Sequence, residues 1–232
     1  MLEHRRFSEM DRADFGWRKA VHHFYKDGTG NQGNRSIGSL YVWNDEEVVP
    51  NAGPPAHFHS DVEIISYVRE GTVLHRDSSG GNGQVRAGDV QVLSAGSGIE
   101  HAELSAPGET AKVFQIWLAP NVKGGAPAWA TKKFPKSDRV GRFVVLASGY
   151  EVDSGALPIR ADARVSGATL VAGDTLIYNL EVGKNAYLVP AYGQILVNDI
   201  VVEARDGCAV HGELSIRIEA ISDTEIILAE VT

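Results

Sequence analysis

Apolar residues fall in short runs at roughly 8- to 12-residue spacing, separated by turn-forming clusters. In the first half the runs are Ile37–Trp43, Val62–Val68, Thr72–His75, Val90–Leu93 and Lys112–Leu118. Asn51–Pro55, Ser78–Gly83 and Ala95–Gly98 interrupt them. After a break the rhythm resumes with Phe143–Ala147, Leu176–Leu180, Ala186–Val189, Gln194–Val197 and Ile200–Glu203, and Glu225–Val231 closes the chain. Strands of this length and spacing predict an antiparallel sandwich or barrel. Ile216, Ile218 and Ala220 alternate with Arg217 and Glu219, as in a strand with one buried face. Asn198-Asp199 joins two apolar runs and reads as a tight hairpin. A short helix is expected around Glu9 to Phe15 and short turns over Val21 to Tyr25; no long amphipathic helix is.

The break is Pro120 to Pro135 (PNVKGGAPAWATKKFP), with three prolines and an adjacent glycine pair, and it reads as a linker. Two domains are therefore expected, residues 1–125 and 126–232. Gly71-Thr72-Val73 followed by Ala87-Gly88-Asp89 loosely resembles Gly193-Gln194-Ile195 followed by Arg205-Asp206-Gly207, a weak sign of duplication.

Composition narrows the function classes. Thirty acidic against 22 basic residues leave a formal charge of −8, which argues against broad nucleic-acid or anionic-membrane binding. No apolar run reaches membrane-spanning length. The single cysteine, Cys208, cannot form an internal disulfide, and the start (MLEHRRFSEMDRADFGW) is too charged for a secretory signal. A cytoplasmic protein is expected.

Four of the eight histidines lie between positions 57 and 101. His57-Phe58-His59 places two imidazoles on one face of a strand, because residues two apart share a face. Alone that pair is a weak signal. His101-Ala102-Glu103 repeats the spacing behind a glycine-rich turn. If the two strands are neighbours in a barrel, the pairs face each other across its interior, and three imidazoles and a carboxylate surround a divalent cation. The alternative is a set of ordinary solvent-facing or hydrogen-bonded core residues. The buried-looking Gln91 and Gln115 either point into a cavity or face solvent. Trp17, Trp43, Trp117 and Trp129 read as packing residues.

The stretch HFHSDVEIISYVREGTVLHRDSSGGNGQVRAGDVQVLSAGSGIEHAE, His57 to Glu103, resembles the metal-binding cupin domain of the pirin family, and most closely its bacterial members with quercetinase activity. The likeness extends more loosely to Gly38–Asn44 and to Phe114-Gln115-Ile116-Trp117. It implies an all-β fold of two tandem cupin barrels, the second without a metal site, since that half holds one histidine, His211. It also implies His57, His59, His101 and Glu103 as metal ligands, with Glu103 (or Glu63) as the catalytic base; Glu63 sits where general cupins place their glutamate ligand, but the pirin pattern takes the carboxylate from the second motif and leaves Glu63 a supporting or structural group. Phe58 stands where the family usually has proline, and Val21-His22-His23-Phe24-Tyr25 is expected to shape the mouth of the pocket. His75 is either a neighbour of the ligands or a structural residue.

Three nitrogens and one oxygen suit iron, manganese, cobalt, nickel, copper and zinc. The resemblance favours iron. It implies a metal-dependent dioxygenase that opens flavonol-like rings with O2, binding a small aromatic or enolic substrate. The alternative it carries is a redox-sensitive regulator without catalysis, whose protein partner is a transcription factor or a metabolic enzyme.

Overall fold

The computed structural model describes residues 1–232, and nearly all regular structure is β. The first half contributes β1 (Leu2–Arg5), β2 (Asp11–Asp14), β3 (Arg18–His22), β4 (Leu40–Val48), β5 (His57–His59), β6 (Glu63–Glu70), β7 (Thr72–Asp77), β8 (Asn82–Arg86), β9 (Val90–Ser94), β10 (Ile99–Ser105), β11 (Ala111–Leu118) and β12 (Ala128–Lys132). The second contributes β13 (Val144–Ser148), β14 (Leu157–Pro158), β15 (Ala163–Leu170), β16 (Thr175–Asn179), β17 (Asn185–Tyr192), β18 (Ile195–Val197), β19 (Ile200–Val202), β20 (Gly207–His211), β21 (Ser215–Ala220) and β22 (Thr224–Val231). No helix is long and apolar enough to cross a membrane.

Each half pairs a seven-stranded with a four-stranded sheet. The first half has the orders β12-β9-β6-β11-β4-β3-β2 and β5-β10-β7-β8. The second has β1-β20-β17-β22-β15-β13-β14 and β16-β21-β18-β19. Only β13 and β14 pair in parallel. The expected hairpin is present, with Asn198 at a φ of 50° between β18 and β19.

The long sheets are buried on both faces, which explains why several of their strands read as continuous apolar runs rather than alternating ones. On β22, Ile226 and Leu228 fill the second barrel, while Ile227, Ala229 and Val231 face the first half. On β6, Ile65 and Tyr67 join that same interdomain core, and Ile64 and Val68 turn into the first barrel. Aromatic rings knit the halves: Trp43 lies 5.4 Å from Tyr187 and 5.6 Å from Phe114, centroid to centroid.

A buried polar cluster crosses the same seam. Arg139 contacts Glu225 at 3.0 Å and donates a hydrogen bond to the Tyr67 hydroxyl at 2.8 Å. That hydroxyl in turn donates to Glu225, and Lys136 also reaches Glu225, at 3.0 Å. Asp45, fully buried, is held by Arg69 from its own half and Arg205 from the other.

Several expectations change. The helix expected at Glu9–Phe15 is a single 3-10 turn (Phe7–Glu9) followed by β2, because residues 11–14 find a partner in β3. Of the segment Val21–Tyr25, where short turns are expected, Val21 and His22 end β3 and the chain bends at His23 and Phe24. The expected linker contains β12, which extends the first long sheet by pairing with β9. Conversely, β1 adds to the second half by pairing with β20. Hydrogen bonding therefore does not divide the chain at 125/126: one strand from each side is lent to the other.

Glu225→Ala leaves the buried Arg139 without its close counter-charge, and the expected loss of stability is about 3–5 kcal/mol. Urea denaturation followed by tryptophan fluorescence and circular dichroism checks this. A single coincident transition at lower urea is the expected result.

Candidate metal centre

The short sheet of the first half carries the site on its inner face. β5 pairs antiparallel with β10, setting His57 opposite His101 and His59 opposite Ile99. β10 then pairs with β7, setting Glu103 opposite His75. The two His-containing pairs therefore lie side by side on neighbouring strands of one sheet, not across the barrel from each other. Alternation does the sorting: Phe58, between the two histidines, is exposed and covers Gly98, where an added Cβ would lie 2.4 Å from its ring.

The ring centroids of His57, His59 and His101 are 4.5–5.0 Å apart. One nitrogen from each lies within 4.8 Å of the others. Neither ring nitrogen of the buried His101 has a hydrogen-bond partner. An unpartnered buried imidazole is costly unless a cation takes its lone pair. His57 donates its Nδ1–H to the carbonyl of Pro55 at 3.0 Å, which leaves Nε2 as the free donor atom. Burial, then the neighbouring His101 and His57, push the pKa of His59 down to about 4, so its imidazole is neutral at pH 7. These residues fit a bound divalent transition metal.

Glu103 stands beside this triad, within 4.8 Å of donor atoms of His75 and His101. Two tryptophan–amide relays hold it. Trp129 donates to Gln91, and Gln91 donates to one carboxylate oxygen. Trp117 donates to Gln115 at 2.9 Å, and Gln115 donates to the other oxygen at 3.2 Å. Burial favours the neutral acid, but His75, His101 and Gln91 together outweigh it and lower the pKa of Glu103. The group is an anion at pH 7.

His75 stacks on Trp129 at 4.6 Å and donates Nε2–H to Asp77 at 2.8 Å. Its Nδ1 is 3.9 Å from Glu103, too far for a hydrogen bond. Burial opposes charge on His75, yet Glu103 and Asp77 outweigh it and raise its pKa. The residue thus faces Glu103 with a buried ring nitrogen that has no hydrogen-bond partner.

Glu63 is not at the site. It shares a face of β6 with Ile65 and Tyr67, which pack in the interdomain core, whereas Ser66 on the opposite face lines the cavity. Its carboxyl accepts a hydrogen bond from Ser94 at 2.6 Å, and burial raises its pKa. The role of catalytic base expected for it is withdrawn on that geometry. Cys208 lies in the core of the second barrel, where burial raises its thiol pKa to about 12, so it offers no thiolate.

A cavity of about 360 Å³ opens from His57, His59 and Glu103. Gln115 lines it as one of its two expected placements, and Trp117 and Trp129 orient amides as well as pack. Of the segment expected to shape the mouth, His22 bonds Asn44 on the cavity wall, while His23 turns into the interdomain core against Tyr187. Sequence reasoning passed over Arg18, Asn44 and Glu46, which also line the cavity. The acidic run Asp45-Glu46-Glu47 gave no inward signal of its own, because the strand that began in the apolar run Ile37–Trp43 continues through it to Val48.

Residues 4–118 match the Pirin family model, and residues 145–231 match the quercetinase C-terminal cupin domain. A pirin-like protein from Caulobacter vibrioides is 50% identical over 99% of both chains. The chain belongs to the pirin family. The crystal structure of the bacterial pirin YhhW from Escherichia coli in complex with nickel(II) aligns with a TM-score of 0.93 at 29% identity, covering 100% of this chain and 99% of that one. A protein of Escherichia coli K12 named quercetin 2,3-dioxygenase is 30% identical over 100% of this chain and 99% of its own length. The architecture is accordingly the two-cupin fold of the pirins. In this pirin only the first cupin gathers histidines; the second holds His211 and, on the lent strand β1, His4, which is bonded to Asp206.

His101→Ala is expected to cut the divalent metal bound per chain at least about tenfold, with an unchanged circular dichroism spectrum. Glu63→Gln is expected to keep the wild-type metal content. Elemental analysis after metal loading and desalting reads both.

Proposed function

We propose that this pirin is a metal-dependent dioxygenase that opens flavonol-type rings with O2, using His57, His59, His101 and Glu103 as metal ligands. The observation that carries the reading is the buried, unpartnered His101 within an imidazole triad that opens onto a cavity beside an ionised carboxylate. Iron is the ion we assign from the family resemblance; the nickel(II) in YhhW keeps nickel among the ions to load.

A divalent cation held by these four residues would supply Lewis acidity that stabilises the anion of an enol. The protein does the rest. Glu103, ionised and clamped by Gln91 and Gln115, accepts the enol proton on a carboxylate oxygen. His75 faces that carboxylate and steadies its charge before the transfer. The cavity lies in the size range of small-molecule sites, and Trp117 offers an aromatic wall to a flat substrate. Dioxygen is the oxidant, and the ring carbons are what it oxidises.

The test is loss of quercetin absorbance by protein loaded with iron, nickel, cobalt, manganese or copper, in air and under argon. Turnover that needs both metal and oxygen is the expected result. Glu103→Gln, compared per bound metal ion, is expected to be slower by about 100-fold or more. Absence of turnover with every ion would overturn the proposal.

A further inference from the structure

The cavity has a second polar pole, on the long sheet. Asn44, Glu46 and Val48 project into it from β4, and Arg18 joins them from β3, where it pairs with Val48. By register Asn44 stands beside Gln115, the amide that holds Glu103, and Glu46 stands beside Val113. Glu46 is therefore one two-residue step, about 7 Å, along the sheet from the clamp on Glu103. Val73 and Val113 are among the apolar residues that line the same cavity.

Glu46 is 6% exposed, and its partners are one-sided. Arg18 Nη1 and Asn44 Nδ2 both donate to Oε1, at 3.4 and 3.3 Å. His22 donates Nδ1–H to Asn44 Oδ1 at 2.9 Å, which fixes the amide so that its NH2 group faces Glu46. Oε2 receives no hydrogen bond from the protein. Burial raises the carboxyl's pKa, Arg18 opposes this, and the charge on Glu103 adds to it. A purely structural ion pair has no need of a free oxygen on a residue that lines a cavity. The interior of the second barrel, built on the same plan, is filled with Leu188, Ile226, Leu228 and similar residues instead.

We infer that Glu46, positioned by Asn44 and Arg18, is a second substrate anchor that accepts a hydrogen bond from a phenolic hydroxyl remote from the enol at the imidazole cluster. The site therefore selects polyhydroxylated aromatic enols over bare ones. This rests on the flavonol reading above and adds to it a residue and a substrate feature.

The experiment compares quercetin with 3-hydroxyflavone, which keeps the enol and lacks every other hydroxyl. Metal-loaded wild type, Glu46→Gln and Glu46→Leu are assayed for kcat and KM. In Glu46→Gln, Arg18 and Asn44 retain the amide oxygen, so an NH2 group replaces the free acceptor at little cost to folding. The preference for quercetin is expected to fall about tenfold in Glu46→Gln and further in Glu46→Leu, through KM rather than kcat. An unchanged preference, or an equal loss on both substrates, would overturn the inference while leaving the dioxygenase reading intact. If wild type turns over neither flavonol, that reading fails, and quenching of tryptophan fluorescence then decides the anchor separately. Tighter quercetin binding that Glu46→Gln weakens sustains it; equal binding of both flavonols, or none, overturns it.

Discussion

A β-strand sends successive side chains to opposite faces, and here both faces of each long sheet are committed. One face of the first long sheet seals the interdomain core through Trp43, Ile65, Tyr67 and Phe114. The other presents Asn44, Glu46, Ser66 and Gln115 to the cavity. A slip of one residue in β6 would exchange Tyr67 for Ser66 and destroy seam and cavity together. The register that holds the halves together is thus the register that builds the site. The Asp45 bridge and the Arg139–Tyr67–Glu225 cluster, both crossing the seam, reinforce it.

The two barrels share a plan and differ in what fills them. The second is packed with aliphatic side chains and Cys208 and needs nothing further. The first keeps imidazoles, amides and two carboxylates inside, a set whose desolvation is costly unless each member finds a partner. Most do: the indoles of Trp117 and Trp129 satisfy the glutamines, and the glutamines satisfy Glu103. The exceptions include both ring nitrogens of His101, the Nδ1 of His75 and the second carboxylate oxygen of Glu46; Glu46 lines the cavity, and His101 belongs to the imidazole cluster that opens onto it.

How much of this was legible in the sequence depends on how local the cause is. The i, i+2 spacing within His57-Phe58-His59 and within His101-Ala102-Glu103 reports a shared strand face; the structure clusters the imidazoles of His57, His59 and His101, with Glu103 beside His101 and His75. The same rule could not place Glu63, because a strand buried on both sides offers no polar face to orient by. The strand Ala128–Lys132 hides in a proline- and glycine-rich segment because its stabilising partner, β9, is distant in the chain. Leu2–Arg5 was invisible for the same reason, its partner being Gly207–His211. Glu46 escaped notice because an acidic run in a strand looks like solvated surface until the sheet covering it is known.

The triad itself is most directly tested by X-ray absorption at the metal edge of protein loaded with zinc, an ion the donor set suits. Three imidazoles and a carboxylate give nitrogen and oxygen scatterers at about 2.0–2.2 Å, with the outer-shell pattern of about three imidazole rings and no sulfur. A sulfur shell near ~2.3 Å, or a zinc spectrum with no imidazole signature, would contradict it.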